Sequence, residues 1–396
     1  MSTSPTAPTP DDAALHLRRL VLLVGAIILV DTMFFAAIGP LLPDYSDRLG
    51  LSKASAGVLS ASYAIGALVG SLPAGWLAAR WGVRPTVLTG LAVLAASSAI
   101  FGFADSVWLL VAARFAQGAG GGGLWAGGLA WLMAAAPRDR RSELMGSALG
   151  AAIGGALLGP ALGSLASVAG TEATFLGVAA LAALLAVFVV GTPAPPAGDQ
   201  HDPRGLARAV SNGLVRGGVW LIVVPSLGFG VIGVLGPLRL DELGASAVGI
   251  GAVFLVAAAF GTVASPLAGR MADRRGTLWV ARIGLAAATV LTILVPIAGA
   301  AWLLAVVIIA TSPFYDTLWV PGMALISDGA EAVGLDQGFA FAIFNMAWAG
   351  AQIAGSAGGA SLAQATSDAL VYVIIAALCF GTLVAISRRR EVARVA

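Results

Sequence analysis

The chain has 396 residues, of which 59% are hydrophobic and only 11% charged, against about 25% charged in an ordinary soluble domain. This composition excludes a soluble globular enzyme and points to an integral membrane protein with many spans. A net charge of +2 and a single cysteine, Cys379, give no support for a nucleic-acid partner and exclude an intramolecular disulfide.

Residues 1–12 are polar and Pro-rich and read as a disordered tail. The apolar run that follows is too long for a signal peptide and lacks a clear small-residue cleavage site, so it reads as a retained first helix. A spanning helix needs about 20 apolar residues. Twelve segments qualify: 20–42, 54–79, 86–104, 107–135, 142–168, 173–192, 217–238, 245–268, 278–298, 301–326, 337–364 and 369–387. A stretch rich in Pro, Asp and Arg divides them six and six. The expected organisation is a tail at 1–19, a six-helix bundle at 20–192, a linker at 193–216, a second bundle at 217–387 and a tail at 388–396. The fold class is an all-α membrane protein, twelve transmembrane helices in two pseudo-symmetric six-helix bundles.

Orientation follows from the basic residues. With the amino terminus inside, eighteen Lys and Arg fall on the cytoplasmic side, three outside (Arg48, Lys53 and Arg239), and Arg114 lies within segment 4. Both termini are therefore expected in the cytoplasm. The halves also repeat. Gly75-Trp-Leu-Ala-Ala-Arg80-Trp-Gly82 closes segment 2, and Gly269-Arg-Met-Ala-Asp273-Arg274-Arg-Gly276 closes segment 8. A parallel repeat with a binding site between the halves is one transporter architecture.

Two acids lie deep in apolar segments, Asp31 and Asp316. An ionised carboxylate in the middle of a bilayer costs at least about 2.5 kcal/mol, and such residues are functional candidates by default. Asp31 has Phe34 and Phe35 three and four residues on, and Asp316 has Trp319 three residues on, so each acid shares a helical face with rings able to hold an organic cation. The competing reading is that each acid pairs with an arginine or a backbone group and only fixes packing. Arg114 either tunes a neighbouring acid or holds a local hydrogen-bond network, which Gln117 could share. Tyr63, Tyr315, Asn345, Trp348 and Gln352 are weaker candidates for lining a cavity. His16 and His201 stand outside the apolar runs, which argues against an intramembrane His relay or a His-based metal site, and no metal is expected. Gly118-x-Gly120-x-x-Gly123 matches a dinucleotide fingerprint by spelling only, because it follows no strand and lies within a spanning helix.

These features together resemble the major facilitator superfamily over nearly the whole chain. The loop carrying Gly75, Arg80, Gly82 and Arg84 is similar to that family's G-x-L-A-D-R-x-G-R pattern, with Ala79 in place of the acid and Val83 in place of a basic residue. The second copy keeps Gly269, Asp273, Arg274 and Gly276. Arg114-Phe-Ala-Gln117-Gly118-Ala-Gly120 is similar to R-x-x-Q-G-x-G. Gly146, Gly155, Gly159, Pro160, Gly163 and Ser164 resemble the antiporter motif of drug–proton antiporters, with Ser in the last position. A narrower likeness, to vesicular amine transporters and bacterial drug-efflux relatives, rests on Leu29–Met33, the Pro40 and Pro43 pair, Arg114, and Phe314-Tyr315-Asp316 with Pro321. Three ionisable positions of that group read here as Tyr63, Gly236 and Asn345.

The resemblance implies helices 1, 4, 7 and 10 around a central cavity, with Asp31 and Asp316 facing it from opposite halves. It also implies proton-coupled efflux of cationic or lipophilic amines or drugs, protons as coupling ion and no other cofactor. It further implies the lipid bilayer and a small-molecule substrate as partners, and a monomer in a bacterial inner membrane. The glycines of segment 5 permit close helix approach, and Pro160 permits bending. The family likeness adds a bias toward exchange. With Ala79 lacking an acid, the cytoplasmic latch would be asymmetric and led by Asp273. Rival readings are a transporter of neutral solutes, such as sugar efflux or uptake symport, and a non-transporting membrane receptor. An intramembrane enzyme lacks a recognisable nucleophile–base pair or metal cluster.

Overall fold

A computed structural model describes residues 10–137, 141–195, 211–334 and 337–395. In the first half, α1 (Pro10–Ala36) continues through a 3-10 turn, Gly39–Leu41, into a short helix, Leu42–Leu49. The interruption falls where Pro40 has no N–H to offer the carbonyl of Ala36. There follow α2 (Lys53–Trp81), α3 (Val83–Gly102), α4 (Val107–Ala135), α5 (Arg141–Ala169) and α6 (Thr171–Gly191). The second half holds α7 (Gly213–Glu242), α8 (Ala247–Arg275) and α9 (Thr277–Leu294). Next come α10 in two pieces, Ala301–Asp316 and Trp319–Ala332, then α11, and α12 (Asp368–Val395). Helix α11 runs from Gln337 to Ile353, passes through a π-helical turn, Ala354–Gly359, and ends with Ala360–Ala365.

Ten helical stretches among the described residues are long and apolar enough to cross a membrane. The remaining two are α4, diluted by its run of glycines, and α11, divided by its π turn. With 29 residues, α4 reaches about 43 Å at 1.5 Å per residue, so it too is long enough to span. The sequence leads one to expect an unbroken tenth helix over 301–326, but α10 stops at Asp316 and resumes at Trp319. Pro321 explains the break: it cannot donate to the carbonyl of Thr317.

The two halves repeat in backbone detail with an offset of 194 residues. Ser52 and Ser246 cap α2 and α8, accepting from Ser55 N and Gly249 N. Gly82 and Gly276 turn the chain between α2 and α3 and between α8 and α9, at φ of 95° and 91°. A side chain disfavours that conformation, which is why glycine recurs at this corner.

Small residues draw the helices together. On α4, a Cβ at Gly118 would overlap the Tyr63 carbonyl of α2, and one at Gly122 would lie 2.7 Å from the Ala67 carbonyl. The glycine run that spelled a nucleotide loop is thus a packing face. The halves meet along α2–α11 and α5–α8. On the side away from the chain termini, Lys53 Nζ pairs with Asp368 at 2.7 Å and Ala54 N donates to Gln364 Oε1 at 2.9 Å. Nearby, Ser164 Oγ donates to the Ala247 carbonyl at 3.4 Å. On the side of the termini, Trp125 and Leu129 of α4 pack into a second-half cluster that includes Val215, Ile326, Phe341 and Phe344. The two halves therefore touch on both sides of the molecule.

Candidate functional site

Asp31 is 1% exposed. Its Oδ1 accepts from the Tyr63 hydroxyl at 2.7 Å, and its Oδ2 accepts from Trp125 Nε1 at 3.2 Å. Space for this pair comes from Gly121 of α4: a Cβ there would lie 2.6 Å from Asp31 Oδ1 and 2.7 Å from the Tyr63 hydroxyl oxygen. Three helices, α1, α2 and α4, thus converge on one carboxylate. Both of its hydrogen-bond donors are neutral.

Arg114 is also 1% exposed, yet its hydrogen bonds go elsewhere. Its guanidinium donates to the carbonyls of Phe34 and Phe35, each at 3.1 Å. These belong to the last turn of α1, where the helix dipole favours a cation and the Phe34 carbonyl takes only a long bond from Ala37 N at 3.3 Å. The same guanidinium lies over the rings of Tyr63 and Phe34, at 5.0 and 5.6 Å from their centroids. Through these bonds Arg114 caps α1 just beyond Asp31. Gln117 stands outside this set of bonds, with Nε2 donating to the Ser97 carbonyl of α3 at 3.4 Å.

The two phenylalanines after Asp31 part company. Phe34 turns into the first-half core, edge-on to Phe101 and Phe175 at 5.8 and 5.0 Å. Phe35 turns to the seam between the halves, 4.9 Å from the Tyr63 ring and 5.4 Å from Trp348 of α11. A second crossing lies at Trp125, whose ring stacks on Phe341 at 5.5 Å with an interplanar angle of 23°. Phe341 stacks on Phe344, Phe344 meets Trp319, and Trp319 meets Phe229 of α7. An unbroken path of ring contacts therefore runs from the Asp31 carboxylate into the second half.

Trp125, Phe341, Phe344 and Phe229 were not among the candidates drawn from the sequence. The α11 pair had a readable signal, since Phe341, Phe344 and Trp348 fall at i, i+3 and i+7 on one helical stripe. Trp125 lies eleven residues, about three turns, after Arg114 on the same face of α4.

Of the second-half candidates, Trp348 reaches the seam beside Phe35, while Tyr315, Asp316 and Asn345 do not gather around Asp31. Tyr315 is fully buried between α7 and α9, its hydroxyl 2.7 Å from Thr292 Oγ1 and its ring 5.5 Å from Phe229. Asp316 is half-buried at the α10 break and directs its carboxylate against Gly261 of α8. It has no hydrogen-bond or ion-pair partner among the described residues. The expectation that Asp316 and Trp319 share an unbroken helical face fails, because the helix is interrupted between them. Asn345 is half-buried on α11, and Gln352 takes a hydrogen bond from Ser356 Oγ at its carbonyl, 2.6 Å away.

The glycines of α5 seat that helix on α1. Cβ atoms at Gly155, Gly159 and Gly163 would overlap backbone or Cβ atoms of Leu29, Ala36 and Ala37, whereas one at Gly146 would meet nothing within 4 Å. The Pro160 carbonyl faces α8, 2.9 Å from where a Cβ on Gly251 would stand, so one stretch of α5 touches both α1 and the other half. At the loop motifs, Gly75 and Gly269 are likewise open, Arg80 stacks on Trp76 at 5.9 Å, and Arg84 donates to the Thr192 carbonyl. Arg274 is exposed. The side chains of Ala79 and Asp273 lie outside the described residues, and with them the latch expected of Asp273.

Three comparisons bear on this arrangement. The sequence profile of the Major Facilitator Superfamily matches residues 24–335 and again 221–395. The chain is 26% identical over 375 residues to the uncharacterized MFS-type transporter YcaD of Shigella flexneri serotype 5b, covering 92% of this chain and 94% of that protein. In fold it is similar to the nucleoside transporter NupG, with a TM-score of 0.74, 15% identity and coverage of 93% and 99%. It is also similar to a partially occluded inward-open form of the xylose transporter XylE from Escherichia coli, with a TM-score of 0.73, 15% identity and coverage of 94% and 98%. With a profile match across most of its length and, among the described residues, twelve long helices in a 194-residue repeat, this chain belongs to the Major Facilitator Superfamily and is a multi-pass membrane transporter.

Proposed function

We propose that this transporter exchanges protons for cationic or lipophilic amines or drugs, in the direction of efflux, by alternating access. The observation that carries the reading is the setting of Asp31: a carboxylate 1% exposed whose hydrogen bonds come from a hydroxyl and an indole N–H, not from a cation. Burying such a charge is costly, and a proton or a bound cation relieves that cost. The two compete for one site. A cation entering from the cytoplasm binds the ionised acid beside the rings of Phe35, Tyr63, Trp125 and Trp348. A proton from outside then neutralises the acid and releases the cation. Asp316, with no partner of its own among the described residues, is the second position for a proton or a substrate charge. The α5 glycine seam against α1 and α8 supports exchange over cotransport. The same reading places the protein as a monomer in a bacterial inner membrane with both termini cytoplasmic, and needs no cofactor besides protons.

The test is flux into proteoliposomes under an imposed pH gradient, across cationic, neutral and anionic compounds. Gradient-driven uptake of cations is expected, and its loss in Asp31→Asn. Undiminished coupling in both Asp31→Asn and Asp316→Asn refutes the reading. Transport of neutral solutes remains the rival, favoured by the fact that both Asp31 oxygens already have protein donors while the seam is lined with rings. Flux of a sugar or nucleoside without any cation flux decides for it.

A further inference from the structure

Trp125 does two things at once. Its indole N–H donates to Asp31 Oδ2 at 3.2 Å, and its ring stacks on Phe341 of the opposite half at 5.5 Å. It lies ten residues before the end of α4 at Ala135, and Phe341 lies four residues after the start of α11 at Gln337. Both helix ends are on the side of the chain termini. Around the stack, Leu129 and Trp125 pack against a second-half cluster that includes Val215 at the start of α7, Ile326 near the end of α10, and Phe344. The first half is thus plugged into the second on this side through one aromatic residue, and that residue is hydrogen-bonded to the buried acid.

We propose that Trp125 is the positioning residue that ties the state of Asp31 to closure between the halves on the side of the termini. The inference rests on Asp31 being the group that takes the coupling proton. An ionised Asp31 accepts from Trp125 with charge assistance, and such bonds are roughly twice as strong as neutral ones. The indole is then held where it stacks on Phe341, and the halves stay together.

A proton arriving on Oδ2 occupies one of its lone pairs and leaves a neutral hydroxyl oxygen, a weaker acceptor for an indole N–H that can only donate. A proton arriving on Oδ1 lets the Tyr63 hydroxyl turn and accept, leaving Oδ2 a neutral carbonyl oxygen with a weaker hold on Trp125. Either way, protonation loosens the plug and favours opening on the side of the termini. The other titratable and charged groups acting on Asp31 are Tyr63 from α2 and Arg114 from α4. The described residues of α5, α6 and α11 bring none to it. Arg114 makes its hydrogen bonds to the Phe34 and Phe35 carbonyls, not to the acid. Asp31 is therefore the group whose charge the Trp125 bond reads.

Two substitutions separate the halves of this device. Trp125→Phe removes the N–H donor and keeps a ring to stack; Phe341→Ala keeps the donor and removes the stack. Spin labels at Gly75→Cys on α2 and Gly269→Cys on α8, in a Cys379→Ala background, report the distance across the side of the termini. A Cβ at either glycine meets nothing within 4 Å. Distances are measured in full-length protein in nanodiscs at acid and at alkaline pH.

In the parent, acid is expected to shift the distribution to longer distances. Trp125→Phe and Asp31→Asn should each lose that response, and Phe341→Ala should give the long distance at both pH values. A parent with no response, or a Phe341→Ala protein that stays as closed as the parent, overturns the inference. If Trp125→Phe responds like the parent while Asp31→Asn does not, the role of Trp125 falls and the reading of Asp31 stands. If Asp31→Asn responds as well, both fall.

Discussion

Gly57 of α2 and Gly251 of α8 stand at equivalent positions of the two halves, 194 residues apart, and each faces the opposite half. A Cβ on Gly57 would overlap the Ser356 carbonyl of α11 and lie 2.6 Å from the Ala360 Cβ and 3.2 Å from the Ala357 Cα. A Cβ on Gly251 would overlap Ser164 Oγ of α5 and lie 2.9 Å from the Pro160 carbonyl oxygen. Adding a methyl to a packed contact costs about 1–3 kcal/mol. At Gly57 the obstructing atoms are backbone and Cβ, which cannot turn away, so the upper part of that range applies. At Gly251 the serine hydroxyl can rotate, which places Gly251→Ala toward the lower part.

The strain exists only while the halves are in contact on the side away from the termini. It is relieved in any conformation open on that side. The closed-to-open ratio should therefore fall by the whole strain, about 5- to 150-fold for 1–3 kcal/mol. Spin labels at Val168→Cys on α5 and Val248→Cys on α8, both exposed, with Cys379→Ala, read the gap directly. A longer distance is expected in Gly57→Ala and a smaller population shift in Gly251→Ala. A folded Gly57→Ala protein with the parent's distance distribution would refute the claim that this contact sets closure.

Two further outcomes follow from the same geometry. Gly121→Ala sets a methyl against both members of the Asp31–Tyr63 pair, 2.6 and 2.7 Å away, and is expected to abolish coupled flux while thermal unfolding in detergent moves only slightly; normal flux would show that the pair tolerates displacement. Lys53→Ala removes an ion pair between the halves whose side chains are 30% and 22% exposed. After solvent screening this is worth about 0.5–1 kcal/mol. The closed state should therefore weaken by only a few-fold, with no further loss in Lys53→Ala/Asp368→Ala, and additive losses would mean that the two residues act separately.

The architecture was legible because its signals are local. Apolar length marks the spans, Gly82 and Gly276 punctuate the same corner in each half, and a carboxylate inside an apolar run identifies itself as Asp31. The site was legible mainly on its first-half side, with Trp348 the one second-half candidate that the structure brings to the seam beside Phe35. Residues three and four beyond Asp31 lie about 300° and 400° around the helix, so they flank the acid by about 60° and 40° on opposite sides. That difference is enough to send Phe34 to the core and Phe35 to the seam, and the sequence carries no mark of which way α1 is rotated. Trp125 escaped notice because a tryptophan in a membrane helix is usually an interface anchor. Its partners, Asp31 and Phe341, are 94 and 216 residues away in the chain. The break in α10 was hidden by the apolar length of 301–326, although Pro321 carries its cause, and the direction of Asp316 depends on α8 packing behind it.

What emerges is a division of labour between the halves. The first half supplies the buried acid, its two neutral donors and the capping arginine; the second supplies the rings of Phe341, Phe344 and Trp348 that close over them. Neither half alone supplies all the rings near Asp31. A site completed only by contact between two bundles must be dismantled, in part, whenever the bundles separate, so binding and alternating access are mechanically linked. Asp316, set against α8 and away from that contact, is not dismantled by such a separation. On the proposed exchange reading, a charge held at Asp316 persists while the Asp31 site opens and closes, so the two acids serve different steps of one cycle.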